Sequence, residues 1–304
     1  MTHPLSEAGL LVKGSVEPPA RIGRQDSDVG AMLKRIMKAM QPRDAAPAAA
    51  VPAGERVYAI GDIHGRLDQL EALLAMIDAD DAAREPARTH LVLLGDLVDR
   101  GPDSAGVIDL AMQLAATRPD VRFLAGNHEE LLLTAIEGQP RAMKVLCQVG
   151  GRETLLSYGM SRRAYDDATF DDLIEMARAV VPPEHIAFLS AFENAIEIGD
   201  YLFVHAGVRP GVELNEQVPA DLRWIRREFL DHRGSFGRMV VHGHTITPDV
   251  ELRPNRIGID TGAYASGKLT AIALESTDRW FLQTPPDETA GRDAPATNAL
   301  ERVG

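Results

Sequence analysis

Five short segments carry side chains able to hold cations and move protons: GDIHG (61–65), GDLVDRG (95–101), GNHE (126–129), HAG (205–207) and HGHT (242–245). Asp, His and Asn offer hard and borderline O/N ligands, suited to Mn, Fe or Zn and not to Cu(I). A single Asp can bridge two cations. Two cations about 3.5–4 Å apart can clamp a phosphoryl group and generate hydroxide near neutral pH. Any one segment is weak, because a Gly-Asp after a strand is common and a lone His at a strand end is usually structural. The five together, in this order, are specific. Metals would also offset the cost of gathering so many polar groups at one buried place.

The elements that must position these residues are short apolar runs, each ending at a segment. RVYAIGD, THLVLLGD, VRFLAGNH, YLFVHAG and RMVVHGH read as strands, with RIGIDTG and KLTAIALES as further strands. Between the early ones, LDQLEALLAMI, SAGVIDLAMQLAA and EELLLTAI show helical spacing. The second of these opens through Asp103 or Ser104 as cap. In α/β sheets ligands bind beyond the carboxyl ends of strands, so the segments are expected to converge on one cleft.

Composition bounds the rest. The chain has 304 residues, 45% of them hydrophobic, with a formal net charge of −13. That acidity disfavours nucleic acid and anionic membranes as partners. One cysteine, Cys147, excludes an internal disulfide framework and fits a reducing compartment. It reads as a buried small hydrophobe, not a nucleophile. With no leader-like apolar stretch and no run near the ~20 residues a bilayer needs, a soluble, cytoplasmic protein is expected. Residues 1–54 read as a disordered or tethering arm, with a short helix at 29–40 that docks on the body. Residues 55–283 form the catalytic domain, and 284–304 a disordered tail. Residues 151–159, GRETLLSYG, read equally as a substrate rim or an ordinary helix opening after a Gly-Gly turn.

From Val57 to about Leu282 the sequence resembles the phosphoprotein phosphatase branch of the calcineurin-like metallophosphoesterases, in its bacterial or phage form. The resemblance implies an α/β fold, a four-layer α/β/β/α sandwich of two mixed sheets flanked by helices. It implies two divalent metal ions, Mn or else Fe or Zn. Asp62 and His64 would hold the first, Asp96 would bridge both, and Asn127, His205 and His244 would hold the second. His128 would be the general acid, oriented by Asp99, while Arg100 and Arg226 would grip phosphate. Arg226 is preferred over Arg223 and Arg227 by the phage-type pattern Trp-any-Arg, here Trp224-Ile225-Arg226. His242 would support a ligand from behind. A metal-bridging hydroxide would attack phosphorus in line, without a phosphoenzyme.

Ala125, HGHT and IDTGAYASG (259–267) depart from the animal-type pattern and leave the substrate open. The expectation is a serine/threonine protein phosphatase acting on a phosphoprotein or small phosphoester. The alternative is a symmetric dinucleoside tetraphosphatase, a subfamily that tends to carry Ala at 99, Asp at 129 and Trp at 245. Asp99, Glu129 and Thr245 here count against it. An inactive binding module fits less well, since every expected ligand is present. A nuclease-like phosphodiesterase would carry a second His where Ile246 stands.

Overall fold

The structure, a computed structural model, describes residues 48–286. The segment 29–40, expected as a docking helix, lies outside the described residues.

Two five-stranded mixed sheets face each other. The chain first lays down β1 (Glu55–Ile60), β2 (Arg88–Leu93) and β3 (Val121–Phe123), paired in parallel in that order. The crossovers are helices, α1 (Leu67–Ala82) and α2 (Ser104–Thr117). A helical stretch follows from α3 (Asn127–Ile136) through α4 (Pro140–Val149), α5 (Gly151–Ser157), α6 (Arg162–Asp167) and α7 (Phe170–Val180) to α8 (Pro183–Ser190). The second sheet contains β4 (Ala195–Ile198), β5 (Tyr201–Val204), β6 (Met239–His242), β7 (Glu251–Leu252) and β8 (Arg256–Gly258), in the order β4-β5-β6-β8-β7. Short helices α9 (Pro219–Trp224) and α10 (Arg227–Leu230) interrupt it, and α11 (Ala263–Ser266) follows it. The chain then returns to the first sheet as β9 (Thr270–Glu275) and β10 (Asp278–Gln283), antiparallel beside β1.

Strand alternation explains the layers. Along β1, Tyr58 and Ile60 face the helices, packing with Leu70, Leu73, Val107 and Leu132. Val57 and Ala59 face inward and meet Tyr201, Phe203, Val241 and Ile257 of the second sheet. The outer face of the second sheet, through Leu202, Val204 and Val240, is covered by Leu222, Ile225 and Phe229. The fold is therefore a four-layer α/β/β/α sandwich, as the sequence implied, with a thin outer layer on the second sheet.

The packed body reaches beyond residues 55–283. Val51 is buried and its amide donates to Ser276 O, while Tyr201 Oη donates to Ala49 O. At the other end Thr284 is buried, and its amide donates to Leu269 O. Among the described residues no helix is long and apolar enough to cross a membrane.

Candidate metal centre

Each of the five segments follows a strand on the same rim. Residues 61–65 follow β1, 95–101 follow β2, 205–207 follow β5, and His242 closes β6. GNHE opens α3 at Asn127. Asp62, His64, Asp96, Asn127, His128, His205 and His244 are all buried.

Two overlapping triads stand out. Ligand-type atoms of His64, Asp96 and His128 lie within 4.8 Å of one another, as do those of Asp96, His205 and His244. Asp96 belongs to both. Asp62 is in neither; its carboxylate accepts from the His244 amide at 3.0 Å. Asn127 joins through its Oδ1, 3.0 Å from His205 Nε2.

The imidazoles are aimed by the backbone. His64 Nδ1–H donates to Val98 O at 2.8 Å, and His205 Nδ1–H donates to Leu94 O at 2.9 Å. Both rings therefore turn Nε2 toward Asp96, at 3.6 and 3.4 Å. That is how metal-holding histidines are usually oriented. His244 Nε2 is buried with no hydrogen-bond partner.

Close approach dictates two glycines. A Cβ at Gly126 would collide with the Asp96 carboxylate, and one at Gly243 with that of Asp62. The backbone is also bent into sparsely populated conformations. His64, Asp96, Asp99, Arg100 and His244 have φ between 48° and 72°. A side chain there costs about 1–3 kcal/mol, and such strain clusters at functional sites.

Electrostatics show groups competing for charge. Burial, then the neighbouring Asp260, pushes Asp62 well above the usual carboxylate range. Burial also raises Asp260, to about 6. Burial would raise Asp96 too, but the adjacent His205 and His128 hold it well down. Burial would lower His205, yet Asp96 raises it to about 10. His64 and His244 are pushed down by burial, aided by Arg100 and by His205 respectively. Negative and positive groups crowded in this way, with an orphaned imidazole nitrogen, fit divalent cations of the Mn, Fe or Zn class.

The remaining expected residues surround this core. His128 Nδ1–H donates to Asp99 Oδ2 at 2.6 Å, and Arg100 Nη2 donates to His128 Nε2 at 3.3 Å. Arg226 stands near enough to His244 to help depress its pKa. Arg223, by contrast, is held by Asn194 at 2.6 Å and by Glu130 at 3.3 Å. His242 is not in either triad. It lies on the outer face of β6, its ring 5.0 Å from that of Phe229.

Sequence reading missed several supporting residues. Glu129 accepts from the amides of Asp96 at 2.9 Å, Leu97 at 2.7 Å and Gly126 at 2.8 Å. It ties the second and third segments together. Thr154, in the stretch read as rim or helix, donates to Asp99 Oδ1 at 2.6 Å. Tyr264 packs against His64, with ring centroids 5.5 Å apart, and lies 4.7 Å from the Arg100 guanidinium carbon. The capping geometry of GNHE was the one available signal for Glu129.

Comparison with known proteins places this rim in context. The calcineurin-like phosphoesterase family matches residues 55–261, which contain every segment described above. The chain belongs to the calcineurin-like phosphoesterase family. Among curated relatives, an asymmetrical bis(5'-nucleosyl)-tetraphosphatase of Anoxybacillus flavithermus is 26% identical over 237 residues, covering 70% of this chain and 88% of that one. A symmetrical bis(5'-nucleosyl)-tetraphosphatase of Janthinobacterium is 28% identical over 284 residues, covering 78% and 99%. A crystal structure described as that of a proposed diadenosine tetraphosphatase superposes with TM-score 0.54 at 23% identity, covering 78% of this chain and 99% of that one. At that identity it supports the fold alone.

Proposed function

We propose that this calcineurin-like phosphoesterase is a metal-dependent hydrolase of nucleoside polyphosphates of the dinucleoside tetraphosphate class. The geometry supports phosphoester hydrolysis through one observation, the two buried triads sharing Asp96. The substrate class is supported by the tetraphosphatase names of relatives that match most of their own length. This reverses the order of the sequence expectation, which put a protein phosphatase first and the tetraphosphatase second.

Asp62, His64 and Asp96 would hold one cation, and Asp96, Asn127, His205 and His244 the other. When bound, such cations supply charge neutralisation and a nucleophile at neutral pH. The chain's own residues do the rest. Arg100 and Arg226 bring positive charge to the rim, where they would donate hydrogen bonds to phosphate oxygens. Asp99 fixes the His128 ring through Nδ1, so Nε2 is the atom that can deliver a proton to a departing oxygen. Buried walls around Asp96 exclude bulk water and strengthen each of these interactions.

A second reading, phosphoprotein phosphatase, is favoured by the His128–Asp99 contact itself. A serine alkoxide is a poor leaving group and needs a proton donor, whereas a nucleotide phosphate leaves readily. Initial rates on diadenosine tetraphosphate, phosphopeptides and p-nitrophenyl phosphate with added manganese test the choice. A kcat/KM for the dinucleotide at least tenfold above that for phosphopeptides supports the proposal. The reverse order replaces it with the second reading.

A further inference from the structure

On the outer face of the second sheet, behind His242, lies a cavity of about 190 Å³. Among the described residues six buried side-chain polar atoms lack a hydrogen-bond partner, and three of them belong to residues lining this cavity: His242 Nε2, Thr245 Oγ1 and Arg256 Nη1. Unmet polar atoms are costly when buried, and more so when charged. Their collection around one cavity points to a ligand.

The chemistry of that ligand follows from the lining. Arg256 is 2% exposed, and Glu251 accepts from its Nε at 3.1 Å. That fixes the guanidinium and leaves Nη1 as a free donor. Arg233 also lines the cavity, is exposed, and has no ion-pair partner among the described residues. Against Arg233, Arg253 and Arg256 stand only Asp231 and Glu251, so the lining carries one net positive charge. Arg253 is occupied by Glu251 at 3.0 Å. His242 Nδ1–H donates to Gly243 O at 3.0 Å, so Nε2 is left as an acceptor. The site thus offers arginine donors, a hydroxyl and one acceptor.

We infer that this cavity binds a singly protonated phosphate group, as free phosphate or as the end of a phosphomonoester, at a place separate from the metal centre. Its bare oxygens accept from Arg256, Arg233 and Thr245, and its P–OH donates to His242 Nε2. Sulfate, which has no proton to donate at neutral pH, lacks that last bond. The cavity also touches the catalytic rim through the backbone. Gly243, whose carbonyl holds His242, donates its amide to His205 O at 2.8 Å, and the next amide, of His244, holds Asp62. The inference does not depend on the substrate class proposed above.

Equilibrium dialysis of labelled inorganic phosphate against the full, metal-loaded chain tests it, with sulfate and adenosine monophosphate as competitors. Wild type should take up two equivalents, one displaced at least tenfold less well by sulfate than by unlabelled phosphate. Arg256→Gln and Arg233→Glu should each lose that equivalent and keep the other. Should Arg256→Gln fail to unfold cooperatively, Arg233→Glu, at an exposed position, decides. Displacement by adenosine monophosphate identifies a phosphomonoester end as the ligand, and its failure identifies the free anion. Uptake of one equivalent by wild type, leaving only water in the cavity, overturns the inference. So does uptake of two by Arg233→Glu and Arg256→Gln alike.

Discussion

His128 Nδ1 lies 2.6 Å from Asp99 Oδ2, and both side chains are sealed from solvent. The carboxylate is itself fixed. Its other oxygen accepts from Thr154 Oγ1, while the Asp99 amide donates to Thr154 Oγ1 at 2.8 Å and to Ser104 Oγ at 3.0 Å. A ring held this firmly at one nitrogen presents the other in one direction, beside Arg100. His128→Asn should keep its metals but lower kcat on an alkyl phosphate by roughly 10²–10⁴. The loss should shrink on p-nitrophenyl phosphate, whose leaving group needs little protonation. Equal losses on both substrates would remove His128 from that role.

Glu129 gives a prediction about stability. Its carboxylate is fully buried and accepts from four amides across two segments, those of Asp96, Leu97, Val98 and Gly126. Glu129→Ala leaves those donors buried and unmet, at about 1–3 kcal/mol for each before relaxation. Urea unfolding should show a loss of roughly 2–5 kcal/mol. Metal affinity should fall with it, because the Asp96 backbone loses its anchor. Glu129→Gln, which keeps one acceptor oxygen, should lose less. An unchanged midpoint for Glu129→Ala would contradict the anchoring role.

The strand ends were legible in the sequence because each apolar run stops at Gly or a polar residue. Seven of the strands and the helices α1, α2 and α3 follow from that pattern. β4, β7 and β10 did not, since Glu197, Glu251 and Arg279 interrupt their apolar character at sheet edges or on exposed faces. The positive φ values at His64, Asp96, Asp99, Arg100 and His244 were also invisible. Nothing in the residue types announces them, since only tertiary packing imposes such strain. Asp260 and Thr154 reach the site from distant segments, and periodicity says nothing about that. The chain turns at Gly243, so His242 keeps the outer face of β6 while His244 swings into the rim.

That turn separates two neighbouring histidines experimentally. His244 Nε2 belongs to a triad with Asp96 and His205, whereas His242 packs against Phe229. His244→Ala should therefore lose one equivalent of bound metal. His242→Ala should retain both equivalents, with affinity reduced at most about 10–100-fold. Metal analysis of the two purified variants decides, and a full equivalent lost only from His242→Ala would invert the assignment.

Metal uptake should also expel a proton. In the metal-free protein Asp96 raises His205 from 6.5 to about 10 against the effect of burial, so its ring is charged at pH 8. An imidazolium cannot ligate, and binding must release about one proton. Calorimetry at pH 8 in two buffers of different ionisation enthalpy should show that release, and identical heats would contradict it. The sign for stability follows from a raised folded-state pKa. The contribution of His205 to the metal-free fold is complete below 6.5 and is lost as pH rises through about 10. Chelated protein should accordingly weaken between pH 7 and 10, and metal-loaded protein should not show that loss.

The most direct test is reconstitution. Enzyme stripped of metal and held in excess chelator should hydrolyse neither diadenosine tetraphosphate nor p-nitrophenyl phosphate. Titration with Mn²⁺ after removal of the chelator should restore activity to a plateau at two equivalents, as the paired triads around Asp96 require. Full activity in the presence of chelator, or a plateau at one equivalent, would contradict the account.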